Sequence, residues 1–298
     1  MVTETNVPHK ENISYFGNGD NEAHMVYQFP LPPLTLFTFL SQDSTKLTQW
    51  AISLESTKLS KKTTYFNFLA SHDGIGLRPI EGILNREEKS LLVKNTLRKK
   101  GRIGYRTTSN GVDEPYEMNI NYLDALVEPG MTNQEIAQIF MASQAIILSL
   151  QGIPGIYIHS LLGSRNDLLG LEASNIPRRI NRERLKLEDV SQDLSNESSI
   201  RSLVFTQYKR LLQIRRKHVC FSPLSSQKVL QLHQSVFALL RTSEDANTLL
   251  LFAVNVCQKP ITIKTNFAGK DLISGKDYTE IINLDPHQFV WILKRVKK

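Results

Sequence analysis

The sequence predicts an α/β chain in two parts. Residues 1–220 read as the C-terminal half of a (β/α)8 TIM barrel, and 221–298 as a small antiparallel β domain. Three observations carry this. Strand-like and helix-like segments alternate through the first 220 residues, the rhythm of parallel βα units. After that point the pattern changes to short alternating runs broken by turn residues such as 243–247. At most four parallel strands can be found, at 1–4, 25–29, 65–70 and 152–158, whereas a complete barrel takes about 250 residues and eight strands.

Taken in order, Val2-Thr3-Glu4-Thr5-Asn6-Val7-Pro8-His9 is a strand-like stub with a carboxylate at its end. Met25-Val26-Tyr27-Gln28-Phe29 is a second strand, stopped by Pro30, Pro32 and Pro33 because proline cannot continue a central ladder. Asp43 or Ser44 then caps a helix whose apolar face is Leu47, Trp50, Ala51 and Leu54, spaced i, i+3, i+4, i+7. The run Thr64-Tyr65-Phe66-Asn67-Phe68-Leu69-Ala70 reads as a buried strand. It delivers His72 and Asp73 to its C-terminal end, and Gly74 and Gly76 open a loop there. In a parallel barrel that end holds the catalytic groups.

A helix over 86–99 has Glu87 and Glu88 in its first turn and Arg98, Lys99 and Lys100 in its last, matching the helix dipole, with Gly101 as its stop. Residues 101–130 read as a long loop insertion, irregular through 101–124 and carrying Tyr105, Tyr116 and Tyr122. Thr132-Asn133-Gln134-Glu135 has the capping-box form and opens a helix with Ile136, Ile139, Phe140, Ile147 and Leu150 inward. The strand at 152–158 is followed by loop and Arg-rich sequence to about residue 185. A helix over 198–217 uses Leu203, Val204, Tyr208, Leu211 and Ile214. Beyond it, 228–233, 235–241, 248–256, 261–264 and 288–293 read as strands of a β-sandwich-like domain.

The bulk numbers exclude several classes. The chain is 41% hydrophobic and carries 36 Lys and Arg against 29 Asp and Glu, a net charge of +7. Its basic residues are scattered, with modest clusters at 98–102, 178–184, 215–217 and 294–298. They carry no recognisable binding motif, so no nucleic-acid partner is expected. A positive field suits an anionic substrate such as phosphate. Cys220 and Cys257 show neither a disulfide framework nor zinc spacing and read as buried thiols of a reducing compartment. With no signal peptide ahead of the first stub, the expected location is cytoplasmic. The apolar stretch 136–150 carries Gln138, Ser143 and Gln144 and reads as a core helix rather than a membrane span. Metal-site, P-loop, dinucleotide and nucleophile-elbow signatures are all missing, so no metal or cofactor is expected.

Glu4 and Asp73 are placed at strand ends pointing into one hollow. Glycosyl transfer with retention needs a nucleophilic carboxylate and a second carboxyl group that protonates the leaving oxygen. On this reading Glu4 is the acid/base, and Asp73 and His72 grip the sugar as its ring distorts. A lone strand-end carboxylate also fits a helix cap or a surface ion pair. His9, a candidate substrate-binding donor, and likewise His24 and His159, fit either loop donors or structural histidines. The run Arg178-Arg179-Ile180-Asn181-Arg182 suits phosphate or carboxylate, or else a solvated basic face.

These residues resemble the sucrose phosphorylase branch of the α-amylase superfamily, glycoside hydrolase family 13. Thr3-Glu4-Thr5-Asn6-Val7-Pro8-His9 is similar to its strand-five segment and Tyr27-Gln28-Phe29-Pro30-Leu31-Pro32-Pro33-Leu34 to strand six. Ser71-His72-Asp73-Gly74-Ile75-Gly76 is similar to strand seven and Gly152-Ile153-Pro154-Gly155-Ile156-Tyr157-Ile158-His159 to strand eight. Arg179-Ile180-Asn181-Arg182 resembles a later Arg-x-Ile-Asn-Arg segment. Leu77-Arg78-Pro79-Ile80-Glu81-Gly82 and Ser160-Leu161-Leu162-Gly163-Ser164-Arg165-Asn166-Asp167 lean toward the glucosylglycerate or glucosylglycerol phosphorylase type.

The resemblance implies barrel strands five to eight and a double displacement. Glucose passes from an α-glucoside to an enzyme aspartate and then to inorganic phosphate as co-substrate, giving α-glucose 1-phosphate. Residue by residue it makes Glu4 the acid/base and Asp73 the transition-state stabiliser. It sets His72 against the sugar, and Tyr116 and Arg182 at the acceptor or phosphate site. The family's nucleophilic aspartate follows strand four, which this sequence does not contain. The expectation is a truncated product, a misassigned start or one piece of a split gene, inactive alone. Its open strand edges favour self-association or pairing with an N-terminal half. The competing readings are an α-amylase-type hydrolase fragment and a non-catalytic carbohydrate-binding remnant.

Overall fold

Four short strands, Val2–Thr3, Met25–Tyr27, Thr64–Phe68 and Ile153–Gly155, lie side by side in chain order and all run parallel. The computed structural model describes every residue except Asp20, Lys58, Lys297 and Lys298, so the end of the 294–298 cluster lies outside the described residues. The four expected strands are present, each shorter than the sequence indicated. They form an open sheet, and no closed barrel exists among the described residues.

Parallel sheets need cover on both faces. On one face, Val26 and Tyr65 join a core with Leu34, Phe140 and Ile147 from overlying helices. The other carries the rings of Tyr27, Phe29, Phe66 and Phe68, whose neighbouring centroids are 4.5–5.5 Å apart. Residues i and i+2 of a strand share a face, which is why Phe66 and Phe68 turn away from Tyr65.

The prolines after the second strand do more than stop it. They open a helix, Leu31–Ser41, which the sequence reading missed. Proline costs nothing in a first helical turn, where its absent N–H would have no partner. The helix is buried continuously from Leu31 to Phe39, so no polar face marks its period. The next helix, Thr45–Leu54, buries the expected Leu47, Trp50, Ala51 and Leu54. Ser44 takes the cap position, while the Asp43 carboxylate accepts the Thr45 N–H at 2.7 Å.

Helix Arg86–Arg98 starts at an Asn85–Glu88 capping box. Its left-handed terminal residue is Lys100 (φ 63°), which corrects the assignment of Gly101 as the stop. Gly101 is needed for space, since a Cβ there would stand 2.6 Å from Thr96 Cγ2 and 2.9 Å from the Asn119 carbonyl.

The irregular reading of 101–124 is also corrected. Arg102–Thr107 and Asp113–Asn119 form an antiparallel hairpin, extended by Ile75–Gly76, and a short helix Tyr122–Leu126 follows. Gly104, Gly111 and Pro115 hid it, and its residues become buried only at Met118 and Asn119. The Arg-rich stretch likewise contains helices, Ile158–Leu161 and Leu168–Ser174.

Helix Asn133–Ser149 begins at the expected Thr132–Glu135 capping box and is almost wholly buried. Helix Ile200–Lys217 packs on it, with the Tyr208 hydroxyl donating to Gln144 Oε1 at 2.5 Å. Beyond it lies a six-stranded antiparallel sheet built mainly from Ser226–His233, Val236–Thr242, Thr248–Asn255 and Phe289–Arg295. Alternate residues divide between its faces. Phe237, Leu239, Leu250, Phe252 and Trp291 join the core around helix Asn133–Ser149, whereas Val236, Ala238, Leu251, Ala253 and Ile292 pack under a ribbon of Ile261–Lys264 and Ile281–Leu284. The Trp291 indole donates to Ser149 Oγ at 2.7 Å, tying sheet to helix.

His287 lies in the turn before the last strand, beside Phe39 of the Leu31–Ser41 helix (ring centroids 5.9 Å). It is 8% exposed, and neither ring nitrogen has a partner among the described residues. Burial pushes its pKa down to about 4. Between about pH 4 and 6.5 the folded chain therefore binds fewer protons here than the unfolded chain, so stability rises with pH through that window and is lost as pH falls. Urea unfolding of wild type and His287→Asn, compared at pH 7 and pH 4.5, is expected to show a wild-type loss larger by about 2–3 kcal/mol. Asparagine tolerates the positive φ at this position. Equal losses would refute the assignment.

Candidate active site

The loop 71–76 is held in place from three sides. Ser71 Oγ accepts the Asp73 N–H at 3.1 Å and turns the chain. Asn181 Nδ2 donates to the Asp73 carbonyl at 2.7 Å, and Arg182 Nε to the His72 carbonyl at 2.5 Å. The hairpin presses on the third side. A Cβ at Gly74 would stand 2.6 Å from Glu117 Cγ and 2.7 Å from the Met118 carbonyl, so only glycine fits.

The Asp73 carboxylate is the hub. Its Oδ1 accepts from Arg178 Nη1 at 2.8 Å and Arg182 Nη2 at 3.2 Å, with His72 Nε2 at 3.5 Å. Behind Arg178 stands Glu117, which takes the guanidinium in a fork, Nε–Oε1 3.1 Å and Nη2–Oε2 2.7 Å. That bond to Glu117 is the main reason the Arg178 pKa is raised, and Tyr116 adds to the effect. The Tyr157 hydroxyl donates to the Asn181 carbonyl at 3.1 Å, and burial pushes its pKa up.

Glu4 and Asp73 line one cleft together with Phe29, Phe68, Ser71 and Tyr157. Glu4 is exposed and its carboxylate accepts no hydrogen bond among the described residues. The Tyr27 pKa is raised by burial and then by the charge of Glu4. No three His, Cys, Asp or Glu side chains converge on a metal position among the described residues.

The other expected residues divide. His72 and Arg182 stand at the Asp73 hub. Tyr116 lies beside Arg178 but does not line the cleft. The structure does not bring His9 to Glu4 and Asp73. Its ring lies 6.3 Å from that of Tyr65, a residue of the helix-packed core, and Nε2 is 3.3 Å from Thr57 Oγ1. His159 is buried with Nδ1 3.0 Å from Ser164 Oγ. The sequence reading missed Glu117, for which no motif gave a signal. Arg178 and Asn181 were visible only as part of the Arg-rich run, and that run is not a merely solvated face. Its guanidiniums are turned onto the chain's own carboxylates, Arg179 included, which pairs with Asp167 at 2.5 Å.

Acid groups at the C-terminal ends of a parallel α/β sheet are followed by an antiparallel β domain, and the fold is similar to that of the α-amylase from H. orenii, on 52% of which 99% of this chain superposes with a TM-score of 0.60 at 13% identity. The chain superposes over 94% of its length on 51% of the sucrose 6F-phosphate phosphorylase from Thermoanaerobacter thermosaccharolyticum, with a TM-score of 0.70 at 17% identity. It is 49% identical over 256 residues to the glucosylglycerate phosphorylase of Spirochaeta thermophila, covering 86% of this chain and 43% of that relative. It is 42% identical over 294 residues to the glucosylglycerate phosphorylase of Escherichia coli K12, covering 98% of this chain and 52% of that relative. No protein-family model matches. The chain belongs to the sucrose phosphorylase-like branch of the α-amylase superfamily. It spans about half the length of the curated relatives it matches.

Proposed function

We propose that this chain supplies the acid/base half of a retaining α-glucoside phosphorylase site, with glucosylglycerate as donor and inorganic phosphate as acceptor. The observation that carries this is the meeting of Glu4 and Asp73 in one cleft, in a chain 42–49% identical to glucosylglycerate phosphorylases. On this reading the open sheet is strands five to eight of a barrel over residues 1–220, and 221–298 is its C-terminal β domain. Glu4 protonates the glycosidic oxygen, and glycerate leaves with its hydroxyl. A carboxylate nucleophile takes the glucosyl group at C1. Glu4 then removes the proton from phosphate as the phosphate oxygen attacks C1, releasing glucose 1-phosphate and the nucleophile. Asp73 and His72 face the sugar, and the guanidiniums gathered on Asp73, those of Arg182 and Arg178 with Tyr116 beside them, form the acceptor side. His9 has no part in it.

Glu4 and Asp73 are the only carboxylates lining the cleft among the described residues. On this reading the nucleophile belongs to a segment equivalent to the part of the relatives that this chain does not span. The free buried thiols of Cys220 and Cys257 favour a cytoplasmic setting.

The test is to assay the 298-residue chain alone, and mixed with the N-terminal half of a relative, for glucose 1-phosphate from glucosylglycerate and phosphate. Product is expected from the mixture and not from the chain. Free glucose formed at a rate independent of phosphate would replace the phosphorylase reading by a hydrolase. Turnover by the chain alone would show that the site is complete without a second segment.

A further inference from the structure

A phosphorylase of this kind meets an anion at each end of its cycle. A carboxylate-bearing alcohol leaves, and phosphate takes its place. Both must come close to the carboxylates that perform the chemistry, which repel them, so a cation has to stand at that point. Two guanidiniums converge on Asp73 Oδ1, but their attachments differ. Arg182 is bonded through Nε to the His72 carbonyl and through Nη2 to Asp73, so it braces the loop that carries the catalytic carboxylate. Among the described residues Arg178 touches no backbone through its hydrogen bonds. Nε and Nη2 go to Glu117 and Nη1 to Asp73. A guanidinium has five N–H donors, and these contacts leave one on each Nη uncommitted.

Exposure points the same way. The Arg178 side chain is 42% exposed, against 12% for Glu117. The half-buried Glu117 fixes the plane of the guanidinium through its two-bond fork, and the partly exposed Arg178 side chain meets Asp73 through the remaining nitrogen. Arg178 can therefore exchange Asp73 for an incoming oxyanion without losing its anchor.

We propose that Arg178 is the residue that receives the small oxyanion of the acceptor, phosphate in one direction and an α-hydroxy-acid carboxylate in the other, with Glu117 as the positioning residue that holds it. The choice of these two ligands rests on the phosphorylase reading; the binding geometry does not.

The test is equilibrium binding to the 298-residue chain without turnover. Inorganic phosphate and glycerate are titrated separately and in competition, with folding of each variant checked by circular dichroism. Wild type is expected to bind both at one mutually exclusive site. Arg178→Gln is expected to weaken both at least 10-fold. Arg178→Lys keeps the charge but loses the planar fork and should weaken binding less than Arg178→Gln. Arg165→Gln, which removes a guanidinium paired with Asp124 outside the cleft, should leave binding unchanged. Binding of phosphate alone would confine the site to phosphate and overturn the shared-acceptor proposal. So would wild-type affinity in both Arg178 variants, or no binding by wild type. A chain that binds both anions through Arg178 but yields no glucosyl transfer with a relative's N-terminal half would sink the function and leave the anion site standing.

Discussion

Asp73→Asn is expected to lower glucosyl transfer by roughly 10²–10³-fold, the usual loss when a preorganised electrostatic group aimed at the developing charge is removed. The transition state is an oxocarbenium-like cation, so a fixed negative charge beside the ring stabilises it more than the ground state. Asparagine keeps the shape and an acceptor oxygen for Arg178 Nη1. The backbone bonds that hold the loop, from Asn181 to the Asp73 carbonyl and from Arg182 to the His72 carbonyl, are untouched. The loss should fall on kcat with the melting temperature within a degree or two of wild type. The measurement is kcat and KM for glucosylglycerate in the mixture with a relative's N-terminal half. Activity within a few-fold of wild type would mean that Asp73 serves Arg178 and Arg182 structurally.

Arg241→Ala is expected to destabilise the chain by roughly 3–5 kcal/mol, the loss when several buried carbonyls are left without their donor. Arg241 lies on strand Val236–Thr242 with no exposed surface. Its guanidinium donates to the carbonyls of Ser149 (2.8 Å), Ser222 (2.7 Å), Ser225 (3.1 Å) and Ser226 (3.3 Å). Those four carbonyls belong to the end of helix Asn133–Ser149 and to the entry of the C-terminal sheet, so one side chain satisfies groups on both sides of the junction. Burial and the nearby Arg215 push its pKa down to about 9. Removing it leaves carbonyls buried without donors, each costing about 1–3 kcal/mol unless water enters. Urea unfolding of the full chain measures the change. A loss below 1 kcal/mol would show that water replaces the guanidinium at little cost.

Much of the architecture was legible because its signals are local. The aromatic run 64–70, the Thr132–Glu135 capping box and the i, i+3, i+4, i+7 face from Leu47 to Leu54 each lie within a few residues, and each forms the expected element. The helix Leu31–Ser41 was lost because total burial erases periodicity. The 102–119 hairpin was lost because its glycines and proline argue against a strand until tertiary pairing outweighs them.

The site divides in the same way. Sequence alone determined that a His-Asp pair ends a buried strand, that a second carboxylate ends another, and that arginines recur at 178, 179 and 182. Those facts depend on residue type and short-range order. Only the tertiary structure decided that Glu4 and Asp73 share a cleft, that His9 is packed against Tyr65 away from it, and that Glu117 grips Arg178. The last contact joins residues 61 positions apart, from a hairpin and a 3-10 turn. A Coulomb attraction between such groups leaves no periodicity in the chain, because it depends on distance in space, and packing sets that distance.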